Sequence, residues 1–262
     1  MAFNSTLYSL WLYLLPLLAV LFPIWLGIRY GRSAKKIATE IPSEPVGTAV
    51  AATLGLLGFM LAFTFEIVSN RFEKRRELLL NEVSDIRSTY LYAGLIPEQF
   101  RSNVRKQLSE YVDIRVELAH DPGKLNNVQY RSQQILDSLW SVAEALAVQD
   151  RSSEAYSLFT GSANNLARLY NERVTVALQY HMPPVVLYLL AFIAFFSMIT
   201  FGYQFGITGR VNFPIIFMLA MSFAAVMWLV FALDQPEAGI IKVNQAPLYT
   251  LQEQLHRALI KQ

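Results

Sequence analysis

Cysteine is absent from the 262-residue chain. That excludes disulfides, thiolate nucleophiles and Cys-ligated zinc or iron–sulfur sites, although it does not fix the compartment. Histidine is scarce: His120, His181 and His256 lie far apart and show no metal-ligand spacing. No Ser-His-Asp order, P-loop or H-E-x-x-H run occurs, and no pair of catalytic groups falls inside an apolar segment. An enzyme is not expected, nor is a metal or other cofactor. Charge is scarce too, at 16% of residues against about 25% in ordinary globular domains. The net charge is only +2 and no basic patch suits nucleic acid. Alternating strand patterns of useful length are missing.

Apolar sequence fills the gap: 54% of residues are hydrophobic and the mean hydropathy is +0.32. The deficit of charge is concentrated in four runs, with many aromatic residues inside them or at their ends, as membrane-interface belts require. The first span covers about Leu7–Ile28 and is stopped by Arg29, Arg32, Lys35 and Lys36. It is too long for a signal h-region, lacks a preceding basic residue and has no A-x-A site after it, so a retained span is expected. Pro16 and Pro23 inside it predict a kink or break. The link Ile41-Pro-Ser-Glu-Pro45 leads to a second span at about Thr48–Ser69, with Glu66 as its one charge. Spans three and four, about Pro184–Gln204 and Pro214–Leu233, each open on proline and form an antiparallel hairpin across Phe205–Phe213.

The stretch between the pairs is polar and helical. The second span runs on without Gly or Pro into a charged helix whose Phe72, Leu79, Ile86 and Ala93 recur every seven, with Val83 and Tyr90 between them. It ends near Gly94, before Pro97. Further helices are expected at about Pro97–Ala119, Asn127–Val148 and Ser153–Tyr180. Their apolar faces carry Phe100, Val104, Leu108, Tyr111, Ile114 and Leu118; then Ile135, Leu139, Val142 and Leu146; then Leu158, Leu166, Leu169 and Val176. Asp121-Pro-Gly123 separates the first two and Ser153 caps the third. A last amphipathic helix, about Pro247–Ile260, carries Leu248, Leu251, Leu255 and Leu259.

The fold class is therefore an all-α membrane protein, two spans plus two flanking a helical domain. The divisions are 1–69 (spans one and two), 70–182 (helical domain), 183–235 (spans three and four) and 236–262 (a C-terminal segment). Four spans put both termini and the middle region on one side. Lys and Arg near the spans are more numerous there, including Arg71, Lys74, Arg75, Arg76, Arg87, Arg168, Arg173 and Lys242, which makes that side cytoplasmic.

Gly55, Phe59 and Phe63 are spaced by four and share one face of the second span, and Glu66 and Asn70 continue it. Subunits meeting along that face would line an axis with aromatic rings, a constriction that gates by dewetting; packing against other spans or lipid would use the same spacing. Glu66 is a costly residue in a span and would favour cations as a subunit ring, although it sits close enough to the polar end to snorkel or pair with Arg71. Arg71, Phe72, Lys74, Arg75 and Arg76 fit a membrane interface, where anionic headgroups attract cations, or the vestibule of a pore. Asp234 sits at the unfavourable end of the last span's dipole and needs a partner, for which Arg173 or the backbone N–H groups of a neighbouring subunit are the candidates.

Three motifs resemble a family of bacterial membrane proteins described as bestrophin-like. They are Gly55–Phe63 with Arg71-Phe72; Asn81-Glu82 to Tyr90 with Leu95-Ile-Pro97; and Leu233-Asp234 with Pro236 and Gly239 directly after span four. The resemblance covers about 46–248. It implies a multi-pass protein of the bacterial inner membrane, and bestrophins proper are pentameric ion channels with a narrow neck on the second span. Carried over, the neck is Gly55, Phe59 and Phe63, Arg71-Phe72 is the Arg-aromatic pair, and Asp234, Pro236 and Gly239 form the element after the last span. The chain departs from bestrophins in having Gly55 in place of a bulky aliphatic, a single aromatic after Arg71, and Pro236 and Gly239 one residue further apart. Bestrophins carry an acidic run here near a calcium clasp; this chain lacks the run, so no calcium is expected. The implied partners are the lipid bilayer, inorganic ions and further copies of the chain. The rival expectation is a non-conducting scaffold or regulatory subunit that binds a partner through 70–182.

Overall fold

The computed structural model describes residues 2–37, 43–178, 182–209, 211–234 and 241–260. His181, Arg210, Pro236 and Gly239 lie outside them, as does the start of the link at Ile41. Eight α-helices are present among the described residues: α1 (Ala2–Ile37), α2 (Ser43–Tyr92), α3 (Glu98–His120), α4 (Leu125–Gln149), α5 (Glu154–Leu178), α6 (Pro184–Thr208), α7 (Phe213–Asp234) and α8 (Ala246–Ile260). Among the described residues four segments are long and apolar enough to cross a membrane: Leu14–Ile37, a stretch within Glu44–Leu95, Pro184–Thr208 and Phe213–Asp234.

The chain divides into two units. The first comprises 1–72 and 181–241. Here α1 is helical through Pro16 and Pro23, so the expected break does not occur. Pro16 and Pro23 are both buried, where neighbouring helices can satisfy the freed carbonyls. α1 crosses α6 at two facing glycine pairs. A methyl group on Gly27 or Gly31 would collide with the carbonyl oxygen of Ile199 or Tyr203, and one on Gly202 or Gly206 with that of Ile24 or Ile28. Two reciprocal G-x-x-x-G faces thus bring the backbones together, the close approach that helices use where lipid removes the hydrophobic drive. Gly206 belongs to this crossing and not to a loop, because α6 extends to Thr208 and ends at Gly209, whose φ of 73° only glycine adopts without strain. Val20, Ile24, Leu57, Leu61, Leu190, Met198, Phe201 and Ala220 fill the core.

The second unit comprises 73–180 and 242–262. Its core holds Leu79, Ile86, Tyr90 and Ala93 of α2; Val104, Leu108 and Tyr111 of α3; Ile135, Leu139, Val142 and Leu146 of α4; and Leu166 of α5. Leu248, Leu251 and Leu255 of α8 close it. These are largely the apolar faces that period 3.6 marks out. One position differs: Leu158 is 43% exposed, and Phe159 is buried in its place. A fully buried ring removes more apolar area than a leucine, so the helix turns to bury Phe159. Ser153 caps α5 through Tyr156 N–H at 3.4 Å. Asp121 accepts from Gly123 N–H at 3.1 Å where α3 gives way to a 3₁₀ turn.

Candidate functional site: the second span

α2 is one continuous helix of 50 residues, with no glycine or proline after Gly58 to interrupt it. Its inward line, Val50, Leu57, Leu61, Thr64 and Val68, is buried. Thr64 donates to Met60 O, so its hydroxyl is satisfied inside the helix. The opposite line is uncovered. Phe59 and Phe63 are 66% and 51% exposed, and nothing lies within 4 Å of where a Gly55 side chain would begin. Only 17% of the apolar window of α2 is buried, against 33% for each of the other three spans. Large apolar rings left uncovered on one face of a span need another surface or lipid to cover them.

Glu66 and Asn70 continue the same exposed line, and Asn70 Nδ2 donates to Glu66 Oε1 at 2.9 Å. Beyond Phe72 the exposed positions keep the helical spacing, at Glu73, Glu77, Leu80, Ser84, Arg87 and Leu91.

The cations after the span have separate destinations. Arg71 Nη1 pairs with Asp234 Oδ1 at 3.4 Å. This answers two expectations differently. Asp234 takes Arg71 and not Arg173, and Glu66 is bonded to Asn70 and not to Arg71. The contact places the Arg71 guanidinium, midway along α2, at the carboxyl end of α7. Phe72 packs half-buried against Val68, Met182, Val230 and Leu233. Lys74 bridges Glu172 at 3.1 Å and Glu77 at 3.4 Å; Arg75 is half-buried; Arg76 is exposed and meets Glu73 at 3.4 Å.

Arg173 goes to Glu82 instead. Glu82 is 1% exposed and accepts from the Tyr111 hydroxyl at 2.9 Å, with Arg115 Nε 3.4 Å away. Burial pushes the Tyr111 phenol up to about 12 and pulls the Arg115 guanidinium down from its ordinary value, with the charge–phenol interaction opposing both shifts. Two guanidiniums on one buried carboxylate tie α3 and α5 to α2. Spacing alone did not single this cluster out; the available signal was an acid flanked by Leu79, Val83 and Ile86 of the apolar stripe. A second group missed in the sequence is a set of hydroxyls between α2 and α6. Ser197 Oγ donates to Thr53 O at 3.0 Å, and the Thr53 and Thr200 hydroxyl oxygens are 3.1 Å apart. Among the described residues no cluster of His, Asp and Glu has the arrangement of a metal site.

Residues 14–248 match the Bestrophin-like domain family. The chain belongs to this family. No curated protein matches it. Among solved structures it is similar to a bacterial Bestrophin homolog from Klebsiella pneumoniae, at 15% identity over 97% of this chain and 97% of that one, with a TM-score of 0.64. A variant of that homolog aligns at 14% identity over 94% and 99% with a TM-score of 0.61. Another crystal structure, described as a membrane protein, aligns at 15% identity over 96% and 97% with a TM-score of 0.65. At such identity the likeness establishes the fold. This bestrophin-like chain is thus an all-helical membrane protein with the bestrophin-like architecture.

Proposed function

We propose that the chain assembles into a symmetric homo-oligomeric ion channel of the bacterial inner membrane, fivefold on the bestrophin analogy, with α2 lining the pore. The observation that carries this reading is the bare Gly55–Phe59–Phe63 face on the least buried of the four spans. Repeated about an axis, Phe59 and Phe63 form two stacked aromatic rings. Such a neck excludes water when narrow and passes ions when slightly widened, so it both sizes and gates the flux. Gly55, with no side chain, leaves one end of the neck open.

Charge on the same line sets the preferred ion. Glu73 and Glu77 have cationic neighbours in Arg76 and Lys74, whereas among the described residues the partner of Glu66 is the neutral Asn70 amide. A ring of Glu66 carboxylates at the end of the neck concentrates cations and repels anions. The region 70–182, with its helices α3 to α5, is the cytoplasmic domain in this arrangement, and Arg71, Lys74, Arg75 and Arg76 stand at the headgroup level on that side.

Single-particle imaging of the protein in nanodiscs, followed by ion flux from liposomes of the same preparation, tests the proposal. A closed ring with Phe59 and Phe63 at the axis, together with flux, is the expected result. A monomer or dimer with those rings buried in helix packing would overturn it in favour of a scaffold.

A further inference from the structure

Three hydroxyl side chains meet in the middle of the apolar first unit. Ser197 is 1% exposed and donates across the α2–α6 contact to the backbone carbonyl of Thr53 at 3.0 Å. The Thr53 and Thr200 hydroxyl oxygens lie 3.1 Å apart. Each also has a carbonyl of its own helix within reach, Val50 O at 3.1 Å and Ser197 O at 2.9 Å, so one hydroxyl donates across while the other donates back. All three oxygens are satisfied without water, as a span in lipid requires.

The rest of the α2 contact line makes no directional bond to another helix: Val50, Leu57, Leu61 and Val68 are aliphatic, and the Thr64 hydroxyl is bonded to Met60 O of its own helix. Dispersion contacts among such side chains are not directional and tolerate small rotations of the helix about its own axis. A hydrogen bond to a fixed carbonyl does not. Thr53 lies about 120° around the helix from Phe59 and about 80° from Phe63, so the clasp grips α2 on the flank beside the aromatic line. The neighbouring exposed flank carries Gly58 and Ala62. Turning α2 by one residue, about 100°, would exchange two phenyl rings for a hydrogen and a methyl group.

We propose that Ser197 and Thr200 are positioning residues for the pore: their hydroxyl clasp on Thr53 sets the rotation of α2 and so decides that Phe59 and Phe63, rather than Gly58 and Ala62, face the axis. The inference rests on the channel reading and adds the element that fixes the neck's width.

The absence of cysteine makes the test direct. Single cysteines at Phe59 or Ala62 are labelled with a water-soluble thiol reagent in the parent chain and with Ser197→Ala plus Thr200→Val. The size limit for permeant organic cations is measured on the same backgrounds without the cysteine. Loss of the clasp should lower labelling at 59 and raise it at 62, changing the ratio by about tenfold, the factor that one interhelical hydrogen bond supports. It should also admit larger cations. Thr200→Ser, which keeps the hydroxyl, should retain the parent pattern, and Ser197→Ala alone gives a milder second variant should the double one fail to assemble. An unchanged labelling ratio and size limit in a conducting, assembled variant would sink the clasp and leave the channel reading intact. A parent that neither conducts nor labels at 59 would take down both.

Discussion

Arg71 and Asp234 stand 163 residues apart in sequence and meet at 3.4 Å, joining the end of the second span to the end of the fourth. Their side chains are 20% and 16% exposed. Asp234 alone would set a negative charge on the negative end of the α7 dipole; the guanidinium reverses that penalty. With Arg71 engaged there, Glu66 accepts from Asn70 on the exposed face of α2.

Removing one partner should therefore cost more than removing both. Asp234→Asn and Arg71→Gln are each expected to destabilise the protein by about 1–2 kcal/mol, with the double variant well short of the sum. Thermal unfolding in a fixed detergent reads this. Strictly additive single effects would show that the pair does not interact.

Phe59→Ala and Phe63→Ala should each raise ion flux in reconstituted oligomers, because each removes one aromatic ring from the constriction. Flux unchanged in both, with the ring still assembled, would end the neck assignment.

Glu66→Gln should shift the reversal potential in a salt gradient away from the cation limit, and Glu66→Lys should shift it further. The Asn70 amide still has a carbonyl to donate to in the first variant, so the helix is undisturbed. A reversal potential that ignores both substitutions would place selectivity elsewhere.

The buried Tyr111 phenol gives a pH signature. Its value in the folded protein, about 12, lies above the ordinary 10. The folded state therefore holds this proton more tightly than the unfolded one. The contribution is intact below pH 10 and is lost as pH rises from 10 to 12, by about 2–3 kcal/mol in all. Tyr111→Phe should flatten that part of the stability curve relative to the parent. Parallel curves for the two proteins would refute the assignment. Glu82→Gln should be more severe at neutral pH, about 3–5 kcal/mol, since it leaves Arg115 and Arg173 facing a neutral amide.

Much of the helical plan was legible in the chain because it depends on local pattern. The unbroken run after Gly58 predicts a single helix through span and domain, and Leu79, Ile86 and Ala93 pack as their seven-residue interval demands. At α1 the prolines do not break the helix, and both lie buried in the helix packing. The glycine pairs at 27 and 31 and at 202 and 206 were present as G-x-x-x-G signals, yet nothing in either segment names the other as its partner.

Composition and periodicity by themselves determined a four-span helical membrane protein and put Gly55, Phe59, Phe63 and Glu66 on one face of α2, because lipid forces spans to be helical and a helix fixes which residues share a face. Only the tertiary structure decided that this face is the one left bare, that Asp234 takes Arg71 while Arg173 takes Glu82, and that Thr53 meets Ser197 and Thr200. Those outcomes depend on how helices distant in the chain rotate and pack against each other, and that is settled by directional bonds and close contacts between segments whose spacing along the sequence carries no record of it.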